Sequence, residues 1–143
     1  MASENNGLDR GQLYYDTGEL KYEGMHNDGI PHGLGTRFFR SGQKHMEGRF
    51  AGGLMVVGKE YYENGHLRFH GQYNQGPKTY YGPRYFVQGK LYYETGELWF
   101  EGSFKIEKHG SMGYPVFKGS ESFYQGIEYD KNGRVIREHT KYS

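Results

Sequence analysis

The stretch GQLYYDTGELKYEG, residues 11–24, decides the fold because nearly the same stretch, GKLYYETGELWFEG, returns at residues 89–102. An aromatic pair, a turn sequence and three glycines stand at the same positions in both copies. A catalytic site is built from residues that occur once, whereas a repeated stretch indicates a structural unit that is used several times. The sequence therefore indicates a repeat protein.

Five copies of one unit run along the chain, each made of a glycine, six further residues and a second glycine. The first three copies start 24 and 23 residues apart and the next two intervals are 31 and 37 residues, so two insertions of about 7 and 13 residues interrupt the array. We expect a single domain with repeats near residues 11–34, 35–57, 58–81, 89–112 and 126–143, preceded by a flexible N-terminus at residues 1–10.

Each unit has the pattern of a β-hairpin. Its turn reads DTG, RSG, ENG, ETG or KNG, which fits a three-residue loop that closes with a left-handed glycine. After the turn, apolar and polar residues alternate, as in Leu20, Lys21 and Tyr22, and a period of two is typical of strands. Because a lone hairpin is marginally stable, we expect the hairpins to stack on one another. The sequence predicts an all-β fold, an elongated antiparallel sheet of stacked β-hairpins with two loop insertions.

The composition narrows the class of protein. Only 34% of the 143 residues are hydrophobic, but 17% are aromatic, and this aromatic content argues against disorder. A net charge of +1 gives little attraction for nucleic acid, and no apolar run is long enough to span a membrane. The chain has no cysteine, which excludes disulfides and thiolate metal sites and fits a reducing compartment. With no signal peptide evident at the start, we expect a cytoplasmic protein.

The histidines and the repeated glutamates lack the arrangement that catalysis or metal binding needs. His66 and His70 lie four residues apart on one predicted strand, which places them about 13 Å apart, too far to share a metal ion. Glu19 recurs as Glu97 at the equivalent position, whereas a general acid and base are unique and differently tuned. We therefore expect a protein that is not an enzyme, with no catalytic residue, no metal and no cofactor.

Residues 22–35, YEGMHNDGIPHGLG, resemble a MORN repeat, in which an aromatic, an acid and a glycine precede a turn glycine and a His-Gly-x-Gly run. Residues 61–71, YYENGHLRFHG, are similar to the variant MORN repeats of the bacterial YwqK-type antitoxin family. The resemblance covers residues 11–104 and, more weakly, residues 126–138. It implies a stacked-hairpin scaffold that binds a partner protein, as an antitoxin or immunity protein occludes a toxin.

The two insertions are the places where the array departs from its pattern. Residues 76–86 read GPKTYYGPRYF, and the second insertion lies within residues 104–126. Loops carry function more often than the scaffold, and insertions in repeat arrays often lie on the binding face. Tyr80, Tyr81, Arg84 and Tyr85 have the composition of interface anchors. An extra degenerate hairpin is the alternative interpretation of these residues, and the sequence leaves both open.

Two other functions and one kind of assembly also stay open. The insertions could close a pocket in which Lys78, Arg84, Lys105 and Lys108 contact a phosphorylated ligand or a nucleotide. His109 is a further candidate for binding a ligand or a partner. A structural or membrane-proximal scaffold of the MORN kind is the other function. An open sheet leaves unpaired edge strands, so self-association through the sheet edges is a further expectation.

Overall fold

The computed structural model describes residues 7–74, 86–105 and 117–140, and these form one open sheet of ten strands. The strands follow one another across the sheet in chain order, and each is antiparallel to its neighbours. They are β1 (Asp9–Tyr14), β2 (Leu20–Asn27), β3 (Ile30–Phe38), β4 (Lys44–Ala51), β5 (Leu54–Tyr61), β6 (Leu67–Tyr73), β7 (Phe86–Tyr92), β8 (Leu98–Phe104), β9 (Phe123–Tyr129) and β10 (Val135–His139). A 3-10 helix, Gly119–Ser122, immediately precedes β9. The predicted all-β fold of antiparallel hairpins is confirmed.

The five turns of the repeats lie side by side at one set of strand ends, along one side of the sheet. In the first turn the Tyr15 amide donates to the Glu19 carbonyl at 2.9 Å and the Gly18 amide donates to the Tyr15 carbonyl at 3.0 Å. The same pair of bonds recurs in the other four turns, and Gly18 has a φ of +101°. The predicted three-residue loop with a left-handed glycine is therefore correct in all five copies, and we call this side the turn edge.

Two short connections lie at the opposite strand ends, along the other side of the sheet, where β2 leads to β3 and β4 leads to β5. Asn27 pairs with Ile30, which leaves a loop of only Asp28 and Gly29, with φ angles of +51° and +84°. Positive φ at both loop residues is the type I′ turn that suits the twist of a hairpin. The two longer connections leave from this same side, between β6 and β7 and between β8 and β9.

A row of glycines crosses the sheet from β1 to β9. Glycine pairs with glycine across each neighbouring pair of strands, and the row ends at His139 on β10. A Cβ atom on Gly126 would lie 2.2 Å from the Glu101 carbonyl oxygen and 2.9 Å from the Phe100 ring. Gly126 also has a φ of +145°, which other residues rarely adopt. The repeat glycine is thus required by the close approach of the strands.

The core lies on one face of the sheet, which we call the core face. Its rings pack from strand to strand, as in the stacked pairs Phe69–Phe86, with centroids 4.1 Å apart, and Phe100–Phe123, at 3.9 Å. The opposite face is polar and carries, for example, Glu101. The buried residues of this core are Tyr22, Phe50, Met55, Phe69, Tyr73, Phe86, Leu91, Phe100, Phe104 and Phe123.

Tyrosines at the turn edge tie each repeat to the next. Tyr62 donates its hydroxyl hydrogen to the Tyr92 carbonyl at 2.7 Å, and Tyr93 donates to the Tyr129 carbonyl at 2.6 Å. Tyr15 makes the equivalent bond to the Phe38 carbonyl at 2.5 Å. The second repeat has Phe39 at this position, which lacks a hydroxyl and stacks on a histidine instead. Three of the four repeat-to-repeat steps therefore carry this bond.

Replacement of Gly126 by Ala is expected to lower the free energy of unfolding by at least about 2 kcal/mol, because the new Cβ has no room and the backbone angle becomes strained. The matched control is Gly11→Ala on the edge strand, where a Cβ would meet only the tip of the His26 side chain, at 3.0 Å. Urea unfolding followed by circular dichroism measures both. A Gly126→Ala variant as stable as wild type would contradict the proposed role of the glycine row.

Replacement of Tyr62 by Phe is expected to lower the free energy of unfolding by about 1 kcal/mol, the usual contribution of one hydrogen bond. Phe39→Tyr is expected to raise it by a similar amount, about 0.5–1 kcal/mol, by adding the missing bond to the Tyr61 carbonyl. Tyr14→Phe is the control, because its exposed hydroxyl donates to Gln12 on the same strand and makes no bond to the next repeat among the described residues. Thermal unfolding compares the three variants, and a Phe39→Tyr variant without gain would show that the tie depends on more than the hydroxyl.

Candidate functional site at the insertion edge

The two long connections attach to the sheet at neighbouring places on one edge, which we call the insertion edge. The first leaves β6 after Tyr73 and returns at Phe86, and the second leaves β8 after Phe104. The hairpin of β7 and β8 lies between them and separates the two attachment points. The points where the two insertions attach therefore lie in one region of the sheet. Residues 75–85 and 106–116 lie outside the described residues.

The four aromatic residues that flank the insertions contact one another and form what we call the root cluster. These residues are Tyr73 and Phe86 around the first insertion and Phe104 and Phe117 around the second. Phe86 is central, with its ring centroid 5.7 Å from Tyr73, 5.4 Å from Phe104 and 5.7 Å from Phe117. Edge-to-face geometry of this kind adds to the stabilisation from burial. The root cluster thus joins the bases of both insertions in one packed group.

The chain that follows the second insertion, residues 117–122, lies against the core face. The Lys105 amide donates to the Ser122 carbonyl at 2.8 Å, and the Lys118 amide donates to the Ser122 hydroxyl oxygen at 2.7 Å. Trp99 contacts Phe117, with ring centroids 6.0 Å apart, and a Cβ on Gly119 would lie 3.9 Å from the same indole. This exit segment, as we call residues 117–122, covers part of the aromatic core beside β8 and β9.

Glu60 is a buried carboxylate on the core face, and only 6% of its surface is exposed. It forms an ion pair with Arg68 and accepts a hydrogen bond from the Tyr73 hydroxyl at 2.9 Å. Burial, with the negative charge of Glu60 nearby, raises the pKa of Tyr73 far above its ordinary value, so the hydroxyl stays protonated and acts as a donor. Glu60 therefore binds the last residue of β6, the strand from which the first insertion leaves.

Glu128 is a second buried carboxylate, also 6% exposed, and it collects three hydrogen bonds. Its Oε2 accepts from the Ser120 hydroxyl at 3.0 Å and from Trp99 Nε1 at 3.2 Å, while its Oε1 lies 2.9 Å from His139 Nε2. Because a carboxylate can only accept, the Nε2 atom of His139 is assigned as the donor. Glu128 thus joins the exit segment, β8 and the last strand.

The hydrogen bonds to Glu128 outweigh the effect of burial on its acidity. Burial is the largest single influence and raises the pKa of the carboxyl, but the bonds from His139, Trp99 and Ser120 and the attraction of the imidazole together lower it below its ordinary value. The site therefore holds Glu128 in its charged form.

Most residues that the sequence predicted as binding residues fall in the insertions. Of the predicted set, only Lys105 lies within the described residues, where its side chain is exposed directly after β8. Lying outside the described residues are Lys78, Tyr80, Tyr81, Arg84, Tyr85, Lys108 and His109. Their assignment to a binding surface remains a prediction.

Sequence reasoning missed Glu60 and Glu128. Each stands two residues after a repeat glycine, at the position that the other three repeats fill with Leu13, Arg37 and Leu91. A charged residue at a position that alternation assigns to the core was the available signal, because buried charges are rare unless they are paired. Among residues 7–74, 86–105 and 117–140, no group of three or more histidines and carboxylates is placed to hold a metal ion.

The comparisons with known proteins agree with the hairpin architecture. The family model described as the MORN repeat variant matches residues 57–75 and 88–105, which correspond to the β5–β6 and β7–β8 hairpins on either side of the first insertion. No curated protein matches the chain. Within the described part of the chain, no helix is long and apolar enough to cross a membrane. The matched repeats indicate a binding or scaffold role.

Glu128 makes the stability of the fold depend on pH. Because its pKa is lower in the folded state, Glu128 stabilises the fold above its ordinary value of 4.5, and this contribution is lost as the pH falls through the lower folded value. The free energy of unfolding of wild type is expected to fall more steeply below about pH 4.5 than that of Glu128→Gln.

Urea titrations at several pH values between about 3 and 6 measure these slopes. His139→Leu removes a bond that lowers the pKa of Glu128, so this variant is expected to have an intermediate slope. Parallel curves for wild type and Glu128→Gln would contradict the assignment.

Proposed function

We propose that the chain is a non-catalytic protein-interaction module of the antitoxin or immunity type, which occludes a partner protein with its insertion edge. The observation that carries this proposal is the root cluster, in which Tyr73, Phe86, Phe104 and Phe117 bring the bases of both insertions together. Because both insertions interrupt the regular array at neighbouring points, one shared function is favoured over two unrelated insertions. The partner would be a protein such as a toxin, met in the cytoplasm.

The residues proposed to contact the partner are aromatic and basic. Tyr80, Tyr81 and Tyr85 are proposed as anchors, since tyrosine contributes a large contact area at a low cost in conformational entropy. Arg84 is proposed to pair with an acidic group of the partner, because its planar guanidinium can bond to a carboxylate through two N–H groups. The proposed supporting contacts are Lys78, Lys105, Lys108 and His109.

The described sheet suits a scaffold for such a surface. Its turns are closed by backbone bonds in all five repeats, and three repeat-to-repeat steps carry a tyrosine bond. A support that is already rigid before binding lowers the entropy lost on association, and this increases affinity. The edge strands are a separate region for self-association, since Val135 and Ile136 on β10 are 62% and 53% exposed.

Replacement of both Tyr81 and Arg84 by Ala is expected to weaken partner binding about 30-fold or more, because truncation of an interface anchor commonly costs more than 1 kcal/mol. Native mass spectrometry of the protein purified from its own host identifies the companion, and calorimetry then measures the affinity of each variant. The matched control is Tyr14→Ala with Arg10→Ala, which removes the same residue types from the exposed edge strand β1.

Equal affinity of the folded Tyr81→Ala, Arg84→Ala variant and wild type would contradict the proposed anchors. A companion of a few hundred daltons instead of a protein would replace the proposal by the binding of a nucleotide or another phosphorylated ligand. Cosedimentation with liposomes without any protein companion would point to a membrane-proximal scaffold.

A further inference from the structure

A continuous series of contacts crosses the core face from the base of the first insertion to the base of the second. At its start, Glu60 binds both the Tyr73 hydroxyl and the Arg68 guanidinium. The guanidinium carbon of Arg68 lies 5.2 Å from the centre of the Phe86 ring, within the range of a cation–π contact. Phe86 in turn contacts Phe117, at 5.7 Å between ring centroids. The first buried carboxylate is thus connected to the root cluster.

The same series ends at the second buried carboxylate. Phe117 contacts Trp99 at 6.0 Å between ring centroids, and Trp99 Nε1 donates to Glu128 Oε2. That same oxygen accepts from the Ser120 hydroxyl in the exit segment. Each end of the series therefore consists of a buried glutamate bonded to a residue at the base of one insertion.

The two glutamates occupy equivalent positions in their repeats, two residues after Gly58 and Gly126. A lone buried carboxylate is unfavourable, and a paired one seldom adds stability compared with an apolar residue. Leu91, buried at the equivalent position on β7, shows that the fold accepts an apolar residue there. The repeat architecture therefore does not require Glu60 or Glu128, whereas both bind the base of an insertion.

We propose that Glu60 and Glu128 are positioning residues that couple the bases of the two insertions, Tyr73 and the exit segment, into a single surface at the insertion edge. A displacement at Tyr73 is transmitted through the root cluster to Trp99 and the exit segment, and a displacement at Ser120 is transmitted back. The partner that this surface binds rests on the proposed function, but the coupling is a property of the free protein. A partner protein that displaces one base would therefore displace the other.

A double-mutant cycle between Tyr73→Phe and Ser120→Ala tests the coupling, because each substitution deletes one hydroxyl that bonds to a buried glutamate. Each single variant is expected to raise the unfolding equilibrium constant about fivefold, as measured by urea denaturation. In the double variant, the increase in the unfolding equilibrium constant is expected to be smaller than the product of the two single increases by about twofold or more. The reason is that loss of the first bond already weakens the contacts that the second bond supports. Effects that multiply to within the error of the measurement would overturn the proposal.

Trp99 provides a second readout that a purely local role would leave unchanged. It is the only tryptophan of the chain, and it lies at the end of the series away from Tyr73. Tyr73→Phe is expected to increase the acrylamide quenching of Trp99 fluorescence under native conditions. No change in quenching in a folded Tyr73→Phe variant would also overturn the proposal.

Matched controls remove hydroxyls that do not contact the insertion bases. Tyr61→Phe deletes a bond to Glu47 on the polar face, and Ser103→Ala deletes a bond to the Gln125 carbonyl. Combined in a cycle, these two variants are expected to show independent effects and unchanged quenching of Trp99. Because the cycle uses the free protein, its result stands apart from the binding test of Tyr81 and Arg84, and either can fail alone.

Discussion

The close approach of neighbouring backbones along the glycine row is the constraint on which the rest of the structure depends. Where glycine faces glycine, the aromatic side chains of the core can lie over the backbone itself. An added Cβ on Gly35 would lie 2.0 Å from the Tyr22 hydroxyl oxygen, so the tyrosine occupies the space that a side chain would fill. The rings contact across strands, so in the part of the chain that the structure describes a single layer buries a core on one face, with no second sheet or helix layer over it. The composition of many glycines and many aromatics follows from this one arrangement.

Most of the fold could be predicted from the sequence because its causes are local and repeated. The glycine that closes each turn, such as Gly18, is fixed by a backbone angle, and a pattern that appears five times outweighs the ambiguity of any one copy. The order of the strands could also be predicted, because strands joined by short loops are neighbours in an antiparallel sheet. The type I′ turn at Asp28 and Gly29 is likewise local.

The candidate site could be predicted only in part because its contacts are distant in sequence and depend on register. The sequence shows that residues 60 and 128 are acids, but it does not show which partners they meet. A shift of one residue in register moves a strand residue to the other face of the sheet. Bulges in the strand pairs that contain Glu60 and Glu128 cause such shifts. The bond between Ser120 and Glu128 depends on where the exit segment settles, which no repeat pattern specifies. Because tertiary packing positions irregular segments, the sequence indicates that an insertion is present but does not predict the contacts at its base.

His139 at the end of the glycine row has a consequence for how the array could have grown. Its imidazole is buried against Phe100 and Phe123 and bonded to Glu128, so β10 cannot take glycine at this position without losing those contacts. At the opposite edge, β1 still presents Gly11, the residue that a further strand would need beside it. Duplication of a hairpin is therefore compatible with the N-terminal edge and conflicts with the C-terminal one. The two edge strands therefore differ: β1 keeps the glycine that a neighbouring hairpin would face, whereas β10 has a buried histidine in its place.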